Sequence, residues 1–495
     1  MSENKKIKLN QSAAKKRILL AAAIWWLLSF ALEPLIFDVS CRREQWVNYL
    51  LVKGLLFPVL MLIVTYLYNL FSGILSREAN VETRSTLYAV PVWIIVGAVW
   101  AYRGFPFRPE EFAIATSAAA YDTMNDVFTY ITSYVEMLAL MIVPNIYGIA
   151  VMKILILGLE VGYAVSRACA LFHTKLPFLI YAGFLVPPGL LQSYSVHRSP
   201  MYGMLYFFLA VKLFCDWKEE KKPEKRDLLI VGLAIALLTW WRSEGIYFLV
   251  FGPVVMMLAY RIRFSKKTVA KICALMLLLQ GAVFLPTTKA EQLTVENYGK
   301  HKTTPFFNYA LTGMLCNGLD REKNAELLNE IEHYMHIDFI DILNAMYGEH
   351  IYDEGHATYH KDYTASNPDA DDEDVAVYEK NVTRLILRNP LVFIKAQIHA
   401  FSHVSFHYDG LCLSAVFGNL WAVVLWLAAI AVWAAVKKKW FVFWLFLCPI
   451  AHGCITTVFL PAAYFKYYYP EYLFTWLTVP IMISWFVSHR KESAL

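Results

Sequence analysis

At 495 residues the chain is longer than a single soluble core usually grows, a limit of about 250–300 residues. Hydrophobic residues make up 58% and charged residues 17%, against about 45–50% and 25% in soluble domains, and the mean hydropathy is +0.44. This excludes a disordered, fibrous or ordinary cytosolic protein, and the net charge of +5 comes from short basic clusters between apolar runs, so it is no footprint of a nucleic-acid binder.

A bilayer core about 30 Å thick takes roughly 20 apolar residues as helix. Runs that meet this length, or fall short of it through breaks, cover 18–37, 47–72, 86–102, 147–166, 176–194 and 201–215. They continue at 228–241, 246–260, 269–286, 412–436, 440–460 and 472–489. The expected fold class is all-α, a polytopic membrane protein of about twelve spans. The run 134–143 is also apolar and precedes Pro144, which suits a helix lying along the interface.

The basic tail with Lys5, Lys6, Lys8, Lys15, Lys16 and Arg17 shares one side of the membrane with the clusters at 218–226, 261–271, 437–439 and 490–491. The shorter loops opposite carry only Arg42, Arg43, Arg103, Arg108, Arg198, Arg242 and Lys466. Positively charged loops stay inside, so both termini are expected in the cytoplasm of a multi-pass cell-membrane protein. The first run lacks a small-residue cleavage site and reads as an anchor.

That topology gives a transmembrane core over 1–286 with an extracytoplasmic loop at 103–133. A small helical extracytoplasmic subdomain follows at 287–411, and C-terminal spans fill 412–495. Helical spacing at Leu327, Leu328, Ile331, Tyr334, Met335, Phe339, Ile342 and Leu343 places a helix in the subdomain. The acidic run 368–374 (PDADDED) reads as a solvated turn without calcium-loop spacing.

Candidate chemistry concentrates in the 103–133 loop. Pro109 suits the first position of a helix, which places Glu110 and Glu111 in its first turn, favoured by the dipole. Asp122 and Asp126 stand at i and i+4 on one face, where they repel unless a cation or a wet site compensates. Arg198, Arg242, Glu244 and Lys466 fall at outer ends of spans, Lys466 within a belt of tyrosines. His399, His403 and His407 recur every fourth residue and read as an interfacial stripe. The eight cysteines have no CxxC spacing, so no metal site is assigned. Asn381-Val-Thr383 fits a glycosylation sequon.

The run Arg108-Pro109-Glu110-Glu111-Phe112 after a span, then a small-residue helix, an Asp-containing turn and a further apolar helix, resembles the motif-bearing loop of GT-C type polytopic glycosyltransferases. Trp241-Arg242-Ser243-Glu244-Gly245, Leu387-Arg388-Asn389-Pro390-Leu391 and the stretch from Lys466 to Tyr472 are compatible with the same family. The resemblance implies sugar transfer from a polyprenyl-phosphate-linked donor to a glycan, lipid or protein acceptor outside the cell. It implies Glu110 or Glu111 as base, and Asp122, Asp126, Arg198, Arg242, Glu244 and Lys466 as substrate-binding residues. The cofactor stays open, a divalent cation being the candidate.

Many members have Asp-Glu where this chain has Glu110-Glu111, and their loop follows the first span. Either two spans precede the family's core here, which is the preferred reading, or the short loop with Asp38 and Glu44 is the counterpart. The competing function is a transporter or flippase for lipid-linked sugars, although no internal repeat marks one.

Overall fold

The computed structural model describes residues 3–77, 80–104, 109–122, 130–185, 198–262, 265, 269–283, 304–347, 367, 369–404, 420–459 and 465–494. Among them every regular element is a helix. In chain order these are α1 (Glu3–Leu32), α2 (Trp46–Ser76), α3 (Val81–Arg103), α4 (Pro109–Ala119), α5 (Tyr130–Ile142) and α6 (Gly148–Phe172). A 3-10 segment at Leu176–Phe184 precedes α7 (Arg198–Lys218) and α8 (Lys225–Trp241), and a second at Ser243–Tyr247 precedes α9 (Phe248–Ala259). Then come α10 (Val269–Val283), α11 (Thr304–Cys316), α12 (Ala325–Glu332), α13 (Ile337–Tyr347) and α14 (Asp372–Arg388). The last four are α15 (Pro390–Ser402), α16 (Leu420–Val436), α17 (Trp440–Phe459) and α18 (Phe465–Ala494).

Six of the described helices contain segments long and apolar enough to cross a membrane, those within α1, α2, α3, α6, α17 and α18. A helix satisfies its backbone internally, which is what hydrocarbon demands, and the outward residues agree: Leu20 and Leu27 on α1 and Leu62 on α2 are more than half exposed. The other expected spans differ in form. The run 201–215 lies in α7, which also carries Arg198, Lys212, Asp216 and Lys218. The run at 228–241 gives the 17-residue helix α8, and the described part of 412–436 is α16. Over 176–194 the described part is the 3-10 segment with Pro177 at its start. Hydropathy registers apolar character and not helix type, so 3-10 and α segments look alike in sequence.

The chain divides into two compact units. The first holds Met1–Ser243, Gly252–Ala290 and Trp476–Leu495. Its tightest pairing is α3 on α6, antiparallel, with Trp93 Nε1 donating to the Ile154 carbonyl at 3.1 Å. Gly158 and Gly162 allow this approach, because a Cβ at either would collide with Trp93 or with the Ser85 backbone. Small residues four apart are the usual means of close packing in lipid, where burial supplies no driving force between helices. The α5 helix is enclosed by protein: Thr132, Ser133, Met137, Leu140 and Met141 are buried, and it packs on α1, α2, α4, α6 and α8.

Buried ion pairs hold one end of α7 and α8. Lys212 Nζ lies 2.8 Å from Asp216 and 3.2 Å from Asp227, Lys221 pairs with Asp227 at 3.0 Å, and the Tyr260 hydroxyl donates to Asp216 at 2.9 Å. Burial alone raises the Asp227 carboxyl's pKa. Hydrogen bonds from Lys221, the Glu224 N–H and Lys212 outweigh it and bring the value down to about 2.

The second unit holds Glu244–Phe251 and Glu291–Thr475. Leu311, Met314, Leu328, Ile331, Ile340, Tyr378 and Leu385 form its central apolar cluster. The spacing that predicts a helix over 326–347 appears as two, α12 and α13, whose apolar faces share this cluster. The acidic run is a helix start: Asp371 accepts from the Glu373 and Asp374 N–H groups in a capping box. Capping carboxylates offset the helix's unpaired N–H donors and its dipole. Pro390 opens α15 at its first position, where its missing N–H costs nothing. Asn381 is 1% exposed and donates to Glu330 at 2.6 Å, so the sequon is closed to a glycan in the folded chain.

Candidate functional site

The predicted helix start is where the spacing puts it, since α4 begins at Pro109 and Glu110 and Glu111 occupy its first turn. Their side chains lie outside the described residues, as does Asp126. The opposite end of α4 is clamped. Its Ala119 carbonyl accepts from the Asp38 N–H at 2.9 Å, and the Tyr121 carbonyl accepts from Asn48 at 2.9 Å. Tyr121, held at a φ of 58°, is fully buried and stacks on Phe37 at 4.7 Å. The two candidate loops, that of Asp38 and that of Glu110-Glu111, are therefore joined. Asp122 is half-buried and its N–H closes the helix end on the Ser117 carbonyl at 2.9 Å.

Asp38 is itself a cap. It accepts from the Ser40 hydroxyl and N–H, and these bonds hold its carboxyl below the ordinary value. A carboxylate stabilised in this way is a poor proton acceptor near neutral pH.

Next to this clamp lies a charged trio. Glu33 pairs with Lys53 at 3.0 Å and with Arg42 at 2.9 Å. Lys53 also donates to the Ser29 hydroxyl at 2.9 Å and sits 4.1 Å from the Phe30 ring centroid. The trio carries one positive charge in excess, but both cations are bound to Glu33. Its role is to fix α1, α2 and the intervening loop.

A second polar site forms around α5. Glu136, Thr132, Lys153, Met201 and Trp241 line a small cavity of about 40 Å³, with Lys153 only 4% exposed. This volume holds a water or two and no sugar. Beside Trp241, Arg242 ends α8 in an extended conformation. It is 2% exposed and its guanidinium donates to the Ser199 hydroxyl. Ser199 follows Arg198 in the first turn of α7, so the positions of Arg198 and Arg242 converge, although the Arg198 side chain is outside the described residues.

Glu244 is buried but begins the second unit. Lys466 also belongs to the second unit, and its side chain is undescribed. His399 and His403 stack edge to face at 4.5 Å, while His407 is outside the described residues. No group of three metal-ligating side chains occurs among the described residues.

Sequence reasoning passed over Glu136, Lys153, Lys53 and, in the second unit, His452, and it named Glu471 only within the stretch from Lys466 to Tyr472. All five carried one visible signal, an ionisable residue inside or beside an apolar run, which lipid tolerates only when it is paired or put to use.

No family model, curated protein or solved structure matches the chain.

Proposed function

We propose that the chain is a membrane glycosyltransferase of GT-C type, working on the extracytoplasmic side of the cell membrane with both termini in the cytoplasm. In this reading the shorter apolar helices complete a set of about twelve spans. The donor is a polyprenyl-phosphate-linked sugar and the acceptor a glycan, lipid or protein hydroxyl.

One observation carries the reading. A helix that starts on Pro109 with two glutamates in its first turn is anchored at its far end through Ala119 and Tyr121. It packs against α5, which carries Glu136 beside Lys153. A rigid helix packed against an element that holds a buried carboxylate and cation is a frame on which this chemistry can be built.

Glu110 or Glu111 takes the acceptor's hydroxyl proton as the acceptor oxygen bonds to the anomeric carbon. The bond from that carbon to the phosphate oxygen breaks, and the phosphate leaves with the electron pair. Arg242, Arg198 and Lys153 supply positive charge where negative charge grows on the leaving group. Asp122 and Asp126 complete the proposed substrate contacts of the first unit.

The test is transfer from labelled polyprenyl-phosphate sugars in membranes carrying the full chain. Glu110→Gln or Glu111→Gln is expected to lower transfer by about 10²–10⁴-fold, the usual worth of a general base. Full activity in both variants ends the assignment. Movement of donor across vesicles with no acceptor and no release of phosphate replaces it with transport.

A further inference from the structure

The second unit contains a cavity of about 300 Å³ between α15, α16, α17 and the start of α18. That is the lower end of the range for small-molecule sites, about 300–1,000 Å³. Its mouth is formed by Ile394, Ile398, Trp421 and Val458, which line it and are each 40–50% exposed. Leu387 and Leu391, 74% and 79% exposed, continue the same stripe along α14 and α15. An uncovered apolar strip around an opening suits lipid and not water.

The interior carries acceptors. Gln397 lines the cavity at 5% exposure, and its buried Oε1 has no hydrogen-bond partner among the described residues. Glu471 lines it too at 4% exposure. Its carboxylate lies against Gly453, where an added Cβ would come within 3.2 Å of Oε1. His452 Nε2 is 3.8 Å from the same oxygen and donates to the Tyr467 carbonyl at 3.2 Å. Thr457 and Tyr468 meet at 3.1 Å through their hydroxyls. No Lys or Arg is among the described lining residues.

We infer that this cavity binds a single-chain amphiphile whose head donates hydrogen bonds, an alcohol or a primary amine. The chain enters from the lipid between Ile398 and Trp421, and the head reaches Gln397 Oε1 and the Glu471 carboxylate. A buried acceptor left unmet costs about 1–3 kcal/mol, which disfavours a plain hydrocarbon occupant. A phosphate head is disfavoured because it would set negative charge against the Glu471 carboxylate that lines the cavity. The site is independent of the transfer chemistry proposed above, and its test does not use activity.

The full chain in lipid nanodiscs is photolabelled with a diazirine-bearing dodecylamine, competed by dodecanol, dodecylamine or dodecyl phosphate, and mapped by mass spectrometry. Labelling is expected on the α17 segment with Ile450 and Thr457. Amine and alcohol should compete at least about tenfold better than phosphate, a factor of about 1.4 kcal/mol. Glu471→Gln should weaken amine competition about tenfold, and Gln397→Leu should weaken both alcohol and amine about fivefold. Val424→Trp, which fills the cavity, should abolish labelling with the thermal unfolding midpoint retained, and it decides the matter if Glu471→Gln fails to fold. Equal competition by dodecyl phosphate, or labelling unchanged in Val424→Trp and Gln397→Leu, overturns the inference.

Discussion

One ion pair from each unit shows what burial does to charge. In the first, Glu33 and Lys53 pair with side chains 0% and 4% exposed. In the second, Arg321 and Asp341 pair in a two-pronged geometry with side chains 44% and 40% exposed. An exposed pair of this kind is worth about 0–1 kcal/mol, because water and salt screen it and two long side chains lose freedom. A buried pair is often no more stabilising than apolar residues in its place, yet removing one partner strands the other in a dry site. The buried networks of Glu33 and of Lys212 with Asp216 and Asp227 are thus best understood as positional constraints. They set the direction in which α1, α2, α7 and α8 enter and leave their connections.

Glu33 is the residue at which this contrast is most exposed to test. Glu33→Gln strands Lys53 and Arg42 and should cost about 3–5 kcal/mol in detergent unfolding. A cost under about 1 kcal/mol would place the trio among ordinary surface pairs.

Asp227 comes next. Its folded-state pKa is lowered to about 2, so its contribution is present above the unfolded-state carboxylate value and is lost as pH falls through about 2. Asp227→Asn should cost about 1–3 kcal/mol at neutral pH, and the variant should show a shallower loss of stability than the parent between about pH 4 and pH 2. Parallel acid-unfolding curves would show that the Lys212 and Lys221 contacts contribute nothing specific.

The mildest change should come from Arg321→Ala and from Lys323→Ala, whose pairing with Asp320 is between side chains 82% and 43% exposed. Arg321→Ala should shift stability by at most about 1 kcal/mol and less in high salt, and Lys323→Ala should leave it unchanged. A large, salt-insensitive loss would contradict the contrast from the other side.

How much of this was legible in the sequence depended on the range of the interaction. Pro109 as a helix start, Pro390 as another and the apolar spacing of Leu327, Leu328 and Ile331 are local signals, and α4, α15 and α12 follow them. Asp371 as a cap was local too, but the acidic residues around it look the same in a solvated turn. The Glu33–Lys53 pair was not legible, because each residue ends or interrupts its own apolar run and they meet only when α1 packs on α2. The same holds for Glu136 with Lys153, brought into one cavity by α5 and α6. Gln397 and Glu471 stand 74 residues apart in number (471 − 397), and only the packing of α15 and α18 around the cavity unites them. The helix break between α12 and α13 also escaped the spacing, since both pieces face one apolar cluster.

The most direct test of the proposed site is its side of the membrane. Glu111→Cys, in a chain whose eight native cysteines are changed to serine, is exposed in intact cells to a maleimide that cannot cross the bilayer. Labelling before permeabilisation is the outcome expected of an extracytoplasmic glycosyltransferase; labelling only after the cells are opened would place the glutamates in the cytoplasm and contradict that function.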